Sequence, residues 1–201
     1  KKLISGTRFL EINPTSARKA SDKYEDKKLR SDASNLAACL SDIKRRSQTD
    51  ARENGSLSDI SADLAMLIPQ VRNVKMLDDS RSGEYAFEIE LRDETSFSSR
   101  VISDGTIRLL ALLALIDDPD REGILCFEEP ENGVHEGRIP DLIEILRGAT
   151  TQQSEEGDFF QILMNTHSPA VMRSLEFQEV LFADMILSAR DESSSSEVRT
   201  R

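Results

Sequence analysis

Apolar and polar positions change rhythm about halfway along the chain. Before residue 100 they recur in short stretches. Residues 8–12 predict a short strand stopped by Pro14, and residues 22–30 are polar enough to predict a loop or surface arm. Leu36, Leu40 and Ile43 return at spacings of four and three. This predicts a helix over 33–46, with Asp32 as its N-cap and Lys44, Arg45 and Arg46 in its last turn, where cations suit the helix dipole. A second helix is expected from Ser58 or Asp59 to Ile68, ended by Pro69. Residues 71–77 and 85–91 alternate apolar and polar side chains about Ser82 and Gly83, which predicts an antiparallel strand pair with a polar outer face.

After residue 100 the apolar positions run together. Ser103, Asp104 and Gly105 open a stretch that is apolar on nearly every side through Ile107, Leu109, Leu110, Leu112, Leu113 and Leu115, which predicts a helix buried all round. Gly123 leads into the unbroken apolar run 124–127, the pattern of a central strand covered on both faces. A helix over 138–147, a polar loop over 150–157, a second buried strand over 159–164, a short helix after Pro169 and a last strand over 180–182 complete the series. Alternation of strand and helix predicts an α/β fold with a parallel-sheet core. Residues 193–201 are rich in Ser and charge, the composition of a disordered tail.

Composition narrows this picture modestly. A chain of 201 residues, 38% hydrophobic and 31% charged, suits one soluble domain or two lobes sharing a core. Its longest apolar stretch, ending at Ile116, falls far short of the about 20 residues a membrane-spanning helix needs. No apolar segment follows the starting lysines as in a secretory leader. The expected location is the cytoplasm, where Cys39 and Cys126, which lack metal-ligand spacing, would stay reduced. The first residue is Lys, not Met, so a fragment of a longer protein is expected. Charge is unevenly spread: residues 1–52 hold 13 Lys and Arg against 7 Asp and Glu, whereas the whole chain carries −11. Such a segment fits either a nucleic-acid contact or ordinary solvated helix faces.

Three short motifs carry chemistry. In ILCFEEPENG, residues 124–133, the adjacent carboxylates Glu128 and Glu129 follow a buried strand, at the sheet edge where ligands of open α/β folds bind. A hydrophobic strand ending in paired acids is the Walker B pattern. Glu128 would hold Mg²⁺, and Glu129 would polarise the water that attacks a γ-phosphate. A strand ending in solvated acids also fits. In ISDGTIRLL, residues 102–110, Ser103 and Gly105 offer a hydroxyl and unobstructed N–H groups at a helix N-terminus, which is either an anion site or a plain cap. In ILMNTHSP, residues 162–169, His167 follows the second buried strand, 38 residues after Glu129 and at the same sheet edge.

Together and in this order, SDGT with its Leu-rich helix, FEEPENGVH and NTHSP resemble the ABC-ATPase superfamily, and within it the AAA-type ATPases related to the RecF and overcoming-lysogenization-defect heads. RFLEINPTSAR and SDASNLAACLSDIKRR add to the likeness, which covers about residues 8–185 and is closest over 100–172.

The resemblance implies a P-loop NTPase head: a parallel-sheet core, a helical signature lobe and an antiparallel strand pair. It implies ATP and Mg²⁺ as cofactors and a second head as partner, joined head to tail in a homodimer. Ser103, Asp104 and Gly105 would then reach ATP phosphates on the partner, while Glu128 binds Mg²⁺ and Glu129 and His167 serve catalysis in their own head. Asn132 falls in the D-loop region, and Arg108 is either a phosphate contact or a surface residue. None of the nine glycines is followed by Lys, so no phosphate-binding G-x-x-x-x-G-K-[ST] loop occurs. The chain is therefore expected to be the C-terminal half of a head, inactive without its Walker A half. The implied work is DNA repair, another DNA-related task or phage defence, with DNA or a nuclease as further partner and no membrane. The alternative is a non-hydrolysing regulatory or scaffold module. The expected division is a basic N-terminal segment with the signature lobe over 1–117, the Walker B and His-switch part over 118–190, and a disordered tail over 191–201.

Overall fold

The computed structural model describes residues 6–79, 83–151, 160–181, 183–186 and 197–200. In chain order these form β1 (Thr7–Leu10), α1 (Pro14–Ala17), β2 (Ser21–Asp22), α2 (Leu36–Ser47), α3 (Leu57–Leu67), β3 (Val71–Asp79), β4 (Glu84–Leu91) and β5 (Ser96–Ser98). There follow α4 (Asp104–Ile116), β6 (Gly123–Glu128), α5 (Ile139–Thr151), β7 (Phe160–Asn165), α6 (Pro169–Ser174), β8 (Ala183–Ile186) and β9 (Glu197–Thr200). Single 3-10 turns precede α4 and α5 and follow α6.

The expected α/β architecture is present. Strands β1 and β7 flank β6 in a parallel sheet, with Phe9, Cys126 and Leu163 in one row across it. Because β1 comes from the start of the chain, this sheet unites both sides of the boundary expected at residue 117. A second, antiparallel sheet sets β4 between β3 and β2, with β5 also pairing with β4. The hairpin expected over 71–91 is thus found, and β2 and β5 extend it.

The core centres on α4, whose residues from Leu109 to Ile116 are all buried. It packs against α2 and α3 and lies beneath the sheet face that carries Leu10 and Phe127. This bears out the reading of a helix apolar on nearly all sides.

Several boundaries differ from expectation, each for a physical reason. Helix α2 begins at Leu36, because Ala33 takes a positive φ of 57° and breaks the helical path. The Asp32 carboxylate caps no helix; it accepts from the Ser34 N–H at 2.9 Å and closes a local turn. Buried Asn35 holds the preceding loop instead. Its amide donates to the Asp26 and Lys28 carbonyls and its oxygen accepts from the Arg30 N–H. Ser56, not Ser58 or Asp59, occupies the N-cap position of α3. Val180 and Leu181 are not in a strand and residue 182 lies outside the described residues; β8 begins at Ala183. Of the expected tail, Glu197–Thr200 pair with β8, and the remainder lies outside the described residues.

The run at 124–127 predicts cover on both faces, yet only one face of the parallel sheet is buried. Leu125 and Phe127 point inward, while Phe9 is 70% exposed and Leu163 55% exposed on the opposite face. Among the described residues no helix covers that apolar row.

Two electrostatic features follow from the packing. Arg46, near the end of α2, bridges Asp42 on its own helix and Asp118 and Asp120 in the turn before β6. Asp42 and Asp118 are both buried, so this one guanidinium compensates two desolvated carboxylates and ties the helical lobe to the sheet. Asp117, at the C-cap of α4, is different. Its Oδ2 is buried with no hydrogen-bond partner. Burial raises its pKa to about 7, Asp63 and Asp59 add to the rise, and Arg121 opposes it. An acid whose folded pKa is raised binds its proton more tightly when folded, so the stability it contributes is full below the unfolded value of about 4 and lost as pH rises through the folded one. Thermal melting between pH 4 and pH 8 should therefore show a fall in Tm that is smaller in Asp117→Asn. An equally steep fall in that variant would rule Asp117 out as its source.

Candidate nucleotide-binding site at the sheet edge

The C-terminal edge of the parallel sheet carries the site. Glu128 is the last residue of β6 and pairs in register with Asn165, the last of β7. Glu129 follows in a left-handed conformation, with φ of 48°. For a non-glycine residue this backbone costs about 1–2 kcal/mol, so its surroundings must hold it. They do so from both sides. The Glu129 N–H donates to the Asn165 carbonyl at 3.1 Å, and the Glu129 carbonyl accepts from the Asn132 N–H at 3.0 Å. The turn lifts the second carboxylate off the strand axis, and both Glu128 and Glu129 are exposed.

These residues line an open cleft of about 860 Å³ along the uncovered sheet face, together with Phe9, Glu11, Arg108 and Asn132. Arg108, whose sequence context fits two roles, stands here on the same side as the paired acids. A cation, two carboxylates and an apolar floor at a parallel sheet edge suit a phosphate-bearing ligand with an aromatic group. Among the described residues no three His, Cys, Asp or Glu side chains cluster closely enough to cage a metal. Mg²⁺ typically takes one or two carboxylates and completes its shell with phosphate oxygens and water. Glu128, exposed at the end of β6, would hold it.

His167 lies one turn further, exposed, between Thr166 and Ser168. Ser168 caps α6 by accepting from the Val171 N–H. The structure brings His167 to the same edge as Glu129, although it does not line the cleft.

Ser103, Asp104 and Gly105 sit apart from the cleft at the N-terminus of α4. The Ser103 hydroxyl accepts from the Thr106 N–H at 3.2 Å and lies 2.8 Å from the Thr106 hydroxyl, so it is an N-cap, and an exposed one. Residues far away in sequence anchor this corner. Arg18 pairs with Asp104 and donates to the Ile102 carbonyl at 2.8 Å, and the Ser99 hydroxyl donates to the Arg18 carbonyl at 2.7 Å. Gly105 meets Gly133 backbone to backbone: a Cβ on Gly105 would stand 2.7 Å from the Gly133 Cα. Helix α4 therefore rests directly on the loop that carries Glu129 and Asn132.

Sequence reasoning missed Arg18, Gly133 and a Glu131–Thr166 contact. Arg18 has no local signal, because its partners lie more than 80 residues away. Gly133 offered one: a glycine at the third position of a four-residue turn, here Glu131 to Val134, often takes a positive φ, here 97°.

A parallel sheet with paired acids at its C-terminal edge, beside a capped and buried helix, fits a nucleotide-binding ATPase domain. The chain belongs to the family described as "AAA domain, putative AbiEii toxin, Type IV TA system", whose model matches residues 2–173. Solved structures agree on the fold. One, described as "Structural biochemistry of ATP-driven dimerization and DNA stimulated activation of SMC ATPases", has a TM-score of 0.52 at 12% identity, covering 83% of this chain and 87% of that one. Another, an SmcHead bound to the C-winged helix domain of ScpA, has a TM-score of 0.50 at 12% identity, covering 73% of this chain and 42% of that one. Curated protein sequences yield no match. Among the described residues no helix is long and apolar enough to cross a membrane.

Proposed function

We propose that this chain supplies the Walker B and signature half of an ATP-hydrolysing site, completed by a Walker A half and by a second head. The strained turn at Glu129 carries this reading. A left-handed glutamate held from both sides, beside Glu128 and Arg108 at an open sheet edge, is better explained by catalysis than by stability. Glu128 would hold Mg²⁺, which would supply charge neutralisation to the phosphates, Glu129 would orient and polarise the attacking water, and His167 would stabilise the γ-phosphate. Ser103, Asp104 and Gly105 lie outside the cleft, which supports their use across a two-fold, head-to-tail interface. Asn132, in the loop beneath Gly105, would approach the same interface.

The uncovered apolar row of Phe9, Cys126 and Leu163 supports a missing half. Parallel sheets bury both faces, and the segment carrying the phosphate-binding loop would cover this one. Residues 1–117, 118–190 and 191–201 remain our working division into signature lobe, catalytic part and tail. We assign the complete protein to the cytoplasm, with DNA-related or phage-defence work as its task. The basic balance of residues 1–52 adds little to a DNA contact. Arg18, Lys23, Arg30, Arg45, Arg46 and Arg52 all pair with carboxylates of this chain.

Nucleotide titration tests the split site. The chain alone is expected to bind Mg–ATP at least about 100-fold more weakly than a head that also carries the phosphate-binding loop, because that loop supplies most phosphate contacts. Equal affinity by calorimetry would overturn the split-site reading.

A further inference from the structure

We propose that Glu131 is a positioning residue that, through Thr166, fixes the His167 turn against the Glu129 turn. The inference rests on the assignment of Glu129 and His167 to one catalytic edge. Two loops leave that edge, one after β6 and one after β7, and one backbone hydrogen bond joins them, from the Glu129 N–H to the Asn165 carbonyl. A single bond leaves each loop free to pivot about it. The second bond comes from side chains: the Thr166 hydroxyl donates to Glu131 Oε1 at 2.5 Å.

The same hydroxyl oxygen accepts from the Ser168 N–H at 3.0 Å. Thr166 Oγ1 therefore reaches over His167 to the Ser168 N–H, and its proton is committed to Glu131. On the other loop, the Glu131 carbonyl accepts from the Val134 N–H at 2.9 Å and closes the Glu-Asn-Gly-Val turn. Glu131 is half-buried, and its second carboxylate oxygen is buried with no hydrogen-bond partner among the described residues. A surface glutamate kept for solubility would not accept that desolvation. The arrangement retains a carboxylate with one costly buried oxygen at a place where it locks the two loops.

The test uses Thr166→Val, which keeps shape and removes the hydroxyl, Glu131→Ala, the double variant, and Thr166→Ser as rescue. The chain has two histidines, so His167 is resolved readily by NMR. His135 serves as the reference, its ring held by the Gly137 N–H at 3.2 Å. Thr166→Val and Glu131→Ala should each displace the His167 imidazole resonances, leave those of His135 in place and move His167 no further when combined. Thr166→Ser should restore the original positions. In the complete ATPase the same variants should lower kcat about tenfold or more with KM for ATP changed less than about twofold, as expected of misplacement rather than lost binding. Unmoved His167 resonances would overturn the inference, as would wild-type kcat or additive effects in the double variant. A complete protein that hydrolyses no ATP, but whose His167 responds as described, would overturn the ATPase assignment while supporting the bracket.

Discussion

Glu129→Gln in the complete ATPase is expected to bind Mg–ATP with little change in affinity and to hydrolyse it about 10²–10⁴-fold more slowly. The side chain is replaced by its closest isostere, and the left-handed backbone at Glu129 is held by main-chain bonds to Asn165 and Asn132 that an amide does not disturb. What is lost is the negative oxygen able to polarise water. Mg²⁺ binding, assigned to Glu128, is spared. Because ATP persists, two heads should remain closed around it, and light scattering with ATP should report a dimer that wild type forms only transiently. Turnover at the wild-type rate would remove Glu129 from the chemistry.

Gly133→Ala should have the largest effect on the protein itself. Gly133 has φ of 97°, and a Cβ there would stand 2.4 Å from the Gly105 Cα and 3.1 Å from its carbonyl carbon. The obstructing atoms are backbone, so no side-chain rotation relieves them. Adding the cost of a left-handed alanine to that of overpacking gives a destabilisation of about 3 kcal/mol. The strain can be released only by lifting α4 away from the Glu129 loop, so hydrolysis should fall together with the midpoint of chemical denaturation. An alanine variant as stable as wild type would mean that the two loops do not share this contact.

That contact also marks where sequence reading succeeds and where it stops. The helix at α4 and the strands β6 and β7 were legible because their signals are local. Ser103 caps the helix four residues before buried Ile107, and the apolar run before Glu128 is short and bounded by Gly123. The paired acids and His167 were legible because each follows directly on such an element. The left-handed turn at Glu129 was not, since glutamate has no preference for positive φ and the conformation is imposed by Asn165 and Asn132. The N-terminus of α2 was misread because Asn35, close to a plausible cap, spends its amide on the Asp26 and Lys28 carbonyls. Arg18 and Arg46 act on partners more than 70 residues away, beyond any periodicity. The open sheet face was hidden for a related reason: an apolar run does not tell whether one face or both are covered, and among the described residues no helix covers the row of Phe9 and Leu163.

In the proposed composite site Glu129 acts in its own head and Ser103 reaches across from the partner. Mixing two inactive variants of the complete protein, Ser103→Arg and Glu129→Gln, tests it most directly. In a head-to-tail dimer half of the randomly formed pairs are mixed, and each mixed pair holds one intact site of two, so ATP turnover should recover to about a quarter of the wild-type rate. A mixture no more active than either variant alone would contradict the shared site.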